Sequence, residues 1–171
     1  KTSRGHYIGV NPQRANGLVR SAIEAGRVLE VHGYPEVKNE VCYGDENSRI
    51  DIFLSGHSGQ AECYLEVKSV TLLENPVSHG VGYFPDSVSV RGTRHLRELK
   101  RVAIQGHRAI LFFCVQHSGI QQVAPAAHID PLYADTLIEA VEAGVEVLVY
   151  KVRFRGGKPT IHTSLPFVLG A

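Results

Sequence analysis

Seven consecutive apolar residues, Ala109-Ile-Leu-Phe-Phe-Cys-Val115, stand out in an otherwise mixed chain. The run is too short to cross a membrane, and it lacks the alternation of a strand with one wet face. It suits a strand buried on both sides, as occurs where helices cover both faces of a sheet. That places the chain in the α/β class.

The flanking patterns supply the helices. Leu18, Val19, Ala22 and Ile23 share one helical stripe that ends before Gly26, a residue suited to the turn that closes a helix. Ser89 or Asp86 can cap a second helix running through Gln105, with Leu96, Leu99, Val102 and Ala103 toward the core. A third helix is expected over 133–143, stopped by Gly144, followed by an apolar strand over 145–149. Helix and strand in alternation imply right-handed crossovers between parallel strands. Residues 154–167, with Gly156-Gly157 as a turn, read as a terminal strand or hairpin at one edge.

Upstream of these lies a different pattern. Ile50, Ile52 and Leu54 alternate with Arg49 and Asp51, and Cys63, Leu65 and Val67 alternate with Tyr64, Glu66 and Lys68. Joined through Ser55-Gly-His-Ser-Gly59, the two runs read as an antiparallel hairpin with strands about 4.8 Å apart. A preceding strand over 37–43, turned at 44–47, extends the hairpin to a meander. The predicted architecture is one domain with a mixed sheet, an antiparallel meander followed by parallel strands, with helices on both sides.

Alternation also collects chemistry. Asp51 points away from the apolar face of its strand, and Glu66 and Lys68 do the same on the next. Two carboxylates and an ammonium on one patch suit metal-assisted hydrolysis of a phosphodiester, whose transition state gathers negative charge. Asp51 and Glu66 would hold Mg2+ or Mn2+, a hard cation that keeps several waters and accepts phosphate oxygens. Lys68 would orient or deprotonate the attacking water, or balance the growing charge. The competing reading is an ordinary solvated sheet face, since charged clusters are also structural.

Other candidates surround this patch. Arg49 shares the face of Asp51 and either pairs with a carboxylate or grips a phosphate. Glu40, on the strand before, is either a third acidic group of the site or a solvated residue, because register is not readable from sequence. Arg91 and His95 lie one turn apart at the start of the second helix, where backbone N–H groups favour a phosphate. Arg94, Arg97, Lys100 and Arg101 add a basic surface. Residues 73–86, with Asn75-Pro76 and Phe84-Pro85, read as a loop that contacts substrate.

Composition excludes several alternatives. At 171 residues with a net charge of +1, the chain has the profile of a single soluble globular domain. No membrane span or signal peptide is evident, so a cytoplasmic location is expected. The three cysteines lie far apart in apolar or strand-like runs, which suits reduced, buried thiols better than disulfides or zinc. None of the nine histidines forms a His-x-x-x-His pair. A small-molecule enzyme finds no glycine-rich phosphate loop or Ser/Cys nucleophile motif.

Several segments carry a resemblance when taken together. They are Ser48-Arg-Ile-Asp-Ile-Phe-Leu54, Leu65-Glu-Val-Lys-Ser-Val-Thr71, Gly82-Tyr-Phe-Pro-Asp-Ser-Val-Ser-Val-Arg-Gly-Thr-Arg-His-Leu-Arg-Glu-Leu99, and Ala124-Pro125 before Ile129-Asp-Pro131. In this order they resemble the sugar fermentation stimulation protein family of bacteria and archaea, over residues from about Ile8 to about Lys151. The resemblance implies an N-terminal OB-fold-like half joined to a PD-(D/E)xK nuclease-like, restriction-endonuclease-like half, with DNA as partner. On that reading residues 1–14 are a lead-in from a missing OB-like domain, and 15–171 form the nuclease-like domain.

The same resemblance implies roles. Asp51, Glu66 and Lys68 match the catalytic positions, with the Val67 carbonyl as a third metal ligand. Glu24 on the first helix is a further candidate, since that helix sometimes supplies an acid. The helix after the Glu-x-Lys strand donates a residue, which places Arg91 and His95 beside the phosphate. Two functions follow: a Mg2+-dependent DNA nuclease, or a DNA-binding module without cleavage that regulates sugar (maltose) metabolism genes. Whether the protein acts as a homodimer is left open.

Overall fold

The computed structural model describes residues 5–9, 11, 14–44, 48–74, 80–155 and 158–169. Residues 45–47, 75–79 and 156–157, placed above in turns and a loop, lie outside that set, as do Lys1, Arg4 and Pro12. The elements are α1 (Arg14–Glu24), β1 (Glu36–Tyr43), β2 (Ser48–Ser55), β3 (Cys63–Val70), β4 (Val81–Phe84), α2 (Val90–Ile104), β5 (Arg108–Val115), β6 (Gln122–Pro125), α3 (Pro131–Glu142), β7 (Glu146–Arg155) and β8 (Lys158–Ser164).

Six strands form one sheet in the order β1-β2-β3-β5-β7-β8. β1, β2 and β3 are an antiparallel meander, β3, β5 and β7 run parallel, and β8 returns antiparallel along β7. β5 has a parallel neighbour on each side, and every residue of it from Ala109 onward is buried. Its uninterrupted apolar composition is what burial on both faces demands.

Each face of the sheet carries its own core. Val19, Ala22 and Ile23 of α1 pack on the side of Ile52, Leu54, Leu65, Ile110 and Phe112. Leu96, Leu99 and Val102 of α2, with Tyr133 and Leu137 of α3, cover Leu111, Phe113 and Val149 opposite. Phe112 and Phe113 thus anchor opposite cores, both fully buried. Each ring is worth about 2–3 kcal/mol of apolar transfer, and truncating Phe112 to alanine would cost about 3–5 kcal/mol.

Local signals fix the helix ends. Gly26, at φ +65, ends α1, and the N–H of Arg27 donates to the Ala22 carbonyl at 2.9 Å. Ser89 caps α2 by accepting from the Gly92 N–H at 3.1 Å. Asp130 caps α3 through the Tyr133 N–H at 3.0 Å and accepts from the Ser89 N–H at 2.8 Å. One buried carboxylate therefore ties the starts of both helices together, and α2 begins where the site requires it.

Three expectations are corrected. The stretch read as a loop over 73–86 contains β4, which pairs in parallel with β6 as a small second sheet. Four-residue strands with glycine and proline give too little alternation to show in sequence. Cys42 is exposed, whereas Cys63 and Cys114 are buried, and all three are free. The first helix, whose pattern in the sequence starts only at Asn16, begins at Arg14, which brings Asn16 into the first turn.

Candidate active site

The meander delivers Asp51 to Glu66. β2 and β3 are paired at Leu54↔Cys63, Phe53↔Tyr64 and Ile52↔Leu65, and Asp51 and Glu66 are the next residue on each strand. There the Asp51 carboxylate takes over as acceptor for the backbone, with Oδ2 receiving the Val67 N–H at 2.8 Å. Its Oδ1 receives the side-chain amide of Asn16 at 2.7 Å. α1 thus fixes the carboxylate from one side and β3 from the other.

Glu66 is only 2% exposed, under α2. Its Oε1 accepts from Lys68 Nζ at 2.8 Å and is also met by His95 Nδ1. His95 Nε2 accepts in turn from Arg91 Nε at 3.3 Å. A ring nitrogen that accepts carries no proton, so the His95 proton sits on Nδ1 and points at Glu66. Glu66, Lys68, His95 and Arg91 form one connected group, and Asp51 lies close enough to feel the charges of Glu66 and Lys68.

The electrostatics are asymmetric. Burial and then the charge of Glu66 raise the Asp51 carboxyl above its ordinary value, outweighing the Val67, Lys68 and Asn16 contributions. Burial also works to raise Glu66, but the His95 hydrogen bond and the Lys68 charge outweigh it and hold Glu66 below its ordinary value. Two neighbouring carboxylates whose proton affinities are driven apart are a common mark of a site with divided roles.

Polar atoms without protein partners cluster around this pair. Glu66 Oε2, Glu98 Oε2 and the hydroxyls of Tyr43 and Tyr133 are buried with no hydrogen-bond partner. Tyr43 is driven upward by burial and then by Glu66, Glu98 and Asp51, so its hydroxyl stays protonated. Glu98 Oε1 is held by Arg101 at 2.7 Å. A Cβ on Gly44 would run into the Glu98 carboxylate, and Gly44 has φ +70, so only glycine fits there.

The remaining candidates go elsewhere. Glu40 adopts φ +52 within β1, and its exposed side chain lies 3.9 Å from Arg49, itself 67% exposed. That backbone twist turns the two outward together, away from Glu66. Glu24 pairs with Arg20 at 2.8 Å on the exposed side of α1. The contribution of α1 comes from Asn16 instead, visible in sequence only as a polar residue three and seven positions before Val19 and Ile23. Glu98 was legible in the same way, since it falls i+3 from His95. Tyr43 and Tyr133 left no signal, because their approach depends on the register of β1 against β2 and on the packing of α3.

The donor set fits a hard cation. Carboxylate oxygens are the ligands such an ion prefers, and Glu66 Oε2 is a buried acceptor with nothing donating to it. Among the described residues no group of three or more His, Cys, Asp or Glu side chains is arranged as a metal cage. An ion held here would rely on two carboxylates and backbone, which suits an ion that retains water. No helix among the described residues is long and apolar enough to cross a membrane.

Comparison with known proteins supplies the family. A family model described as "Sugar fermentation stimulation protein RE domain" matches residues 13–158. A sugar fermentation stimulation protein homolog of Shewanella denitrificans is 53% identical over 161 residues, 94% of this chain and 67% of that protein. The homolog of Pseudoalteromonas atlantica is 50% identical over 168 residues, 98% of this chain and 70% of that protein. The structure of Pyrococcus furiosus SfsA in complex with Ca2+ superposes with a TM-score of 0.80 at 30% identity, covering 91% of this chain and 65% of that one. The matched region thus spans about two thirds of each relative. With its mixed sheet, its meander and the matching family model, the chain belongs to the sugar fermentation stimulation protein family through that family's RE domain.

Proposed function

We propose that this domain hydrolyses phosphodiester bonds in DNA with Mg2+ or Mn2+ held by Asp51, Glu66 and the Val67 carbonyl. The observation that carries the reading is Glu66 Oε2, a buried carboxylate oxygen without a donor, beside a second carboxylate whose charge burial disfavours. A bound divalent ion would polarise the phosphate and stabilise the charge that develops on it. Lys68, 15% exposed, lies between Glu66 and solvent, where its ammonium meets an incoming phosphate or water. Arg91, in the first turn of α2, sets a guanidinium at a helix start, where the helix dipole favours a phosphate. His95 holds Glu66 and Arg91 in register. The Ca2+ bound by the Pyrococcus relative supports a hard-cation site in this fold. The free thiols suit a reducing, cytoplasmic setting.

A second reading is favoured by one observation: both Asp51 oxygens and Glu66 Oε1 are already bonded to protein donors. On that reading the domain binds DNA without cutting it and serves regulation of sugar (maltose) metabolism genes. Incubating supercoiled and single-stranded DNA with the protein, in Mg2+ or Mn2+ against chelator, separates the two. Metal-dependent product that disappears in Asp51→Asn supports the nuclease, and binding without product supports the regulator.

A further inference from the structure

A cavity of about 350 Å³ opens beside the second half of β7, away from Glu66, with Tyr7, Ser118, Lys151, Arg153, Phe154 and His162 in its wall. Its volume falls in the range that holds small ligands. Two features give it a chemistry. The rings of Tyr7 and Phe154 stack at 6.2 Å with planes 25° apart, forming one continuous aromatic surface. Lys151 and Arg153 supply nitrogen donors, Arg153 Nη1 lies 3.5 Å from His162 Nε2, and no carboxylate is among the described residues that line the cavity.

The positive side is under-compensated. Lys151 Nζ spends one donor on the Ile120 carbonyl at 2.6 Å and has two more. Burial holds its ammonium below the ordinary value. The neighbouring His117 is lowered by burial and then by His6 and Lys151. Ser118 Oγ accepts from the Tyr7 N–H at 3.0 Å, which fixes the aromatic wall to the segment after β5. An aromatic wall beside the Lys151 ammonium and the Arg153 guanidinium matches a ligand with a planar face and a negative group, which is the makeup of a nucleotide.

We propose that this cavity holds one nucleotide unit, with its base against Tyr7 and Phe154 and its phosphate toward Lys151, Arg153 and His162. The inference deepens the DNA reading above and rests on it for the source of the nucleotide, a strand running on from the cleavage site. Val70 pairs with Val115 and Val115 with Lys151, so Lys151 lies two strands across from the end of β3. Glu66 lies four residues back along β3 from Val70, so about 13 Å along the strand and about 10 Å across separate it from Lys151, a span of about five nucleotides at about 3.4 Å each.

The test uses the 171-residue chain in chelator, so that cleavage plays no part, and follows the anisotropy of a fluorescein-labelled single-stranded 12-mer. Arg153 is exposed, so Arg153→Glu keeps the fold and is expected to weaken binding at least tenfold. Phe154→Leu keeps an apolar side chain and is expected to weaken it about fivefold through lost stacking. Unlabelled 12-mer that competes far better than dAMP at equal nucleotide concentration identifies a strand, whereas equal competition identifies a free mononucleotide in the same pocket. Binding of both ligands that is unchanged in Arg153→Glu and Phe154→Leu overturns the proposal, even if the protein cuts DNA. Binding that weakens in both variants while no product forms with Mg2+ keeps the pocket and removes the nuclease.

Discussion

Asp51 and Glu66, each one step beyond the last paired residues of β2 and β3, take opposite proton affinities from one buried environment. Burial acts against both charges. Only Glu66 has a hydrogen-bonded cation and an imidazole N–H to offset it, and its own charge adds to the penalty on Asp51. The pair is a carboxylate held ionised beside one that is easily protonated, and each half makes its own prediction.

Asp51→Asn is expected to abolish metal binding and cleavage while leaving the fold at least as stable at pH 7. With a raised carboxyl the folded state binds the proton more tightly than the unfolded chain. The contribution of Asp51 to stability is thus full below about pH 3.9 and is lost as the pH rises through the folded value. At neutral pH the ionised group is a burden. Its two donors remain satisfied if the Asn16 amide turns over to meet the new amide. Urea unfolding at pH 7 should show a change within about 1 kcal/mol, in the stabilising direction, and calorimetric titration with Mn2+ should show no binding.

Glu66→Gln should behave oppositely. The lowered carboxyl stabilises the fold above its unfolded value of about 4.3, and that contribution is lost as the pH falls through the folded value. Removing the charge leaves Lys68 and His95 without their acceptor anion, at a cost of about 3–5 kcal/mol. Denaturation midpoints measured from pH 3 to 7 should fall steeply on the acid side in the wild type and less steeply in the variant. Parallel curves would show that Glu66 is not the group responsible.

His95→Ala removes the donor to Glu66 and the acceptor for Arg91 together. Residues that orient a metal ligand typically change affinity or activity by about 10–100-fold. Cleavage should drop within that range, and Mn2+ affinity should fall with it. A loss of rate with unchanged metal affinity would instead place His95 at the phosphate.

Arg91→Ala tests the phosphate seat at the start of α2. Losing one phosphate contact should weaken DNA binding similarly for all sequences and reduce the slope of log K against log salt by about 1. Binding isotherms between 50 and 200 mM salt give the slope directly. An unchanged slope would move Arg91 off the DNA path.

Much of this fold follows from periodicity. The unbroken run over 109–115 suited a central strand, and the period of two in β3 separated Glu66, which meets His95 of α2, from Leu65 and Val67 on the α1 side. Ser89 and Gly26 announced helix ends through their own backbone and capping chemistry, whereas α3 begins at Pro131, two residues ahead of the expected start. These are local facts, decided within a few residues by sterics and hydrogen bonding.

Partnership across the chain was not local. Whether Glu24 or Asn16 reaches Asp51 depends on the rotation of α1 against the sheet, and Asn16 won because Val19 and Ile23 bury on the same side. Whether Glu40 joins the acids depends on one left-handed residue, which turned it outward to Arg49. His95 meets Glu66 across 29 positions only because Asp130 pins the start of α2 over β3. The alternation of side chains is inscribed residue by residue, but the angle at which a helix settles on a sheet is chosen by the packing of the whole core.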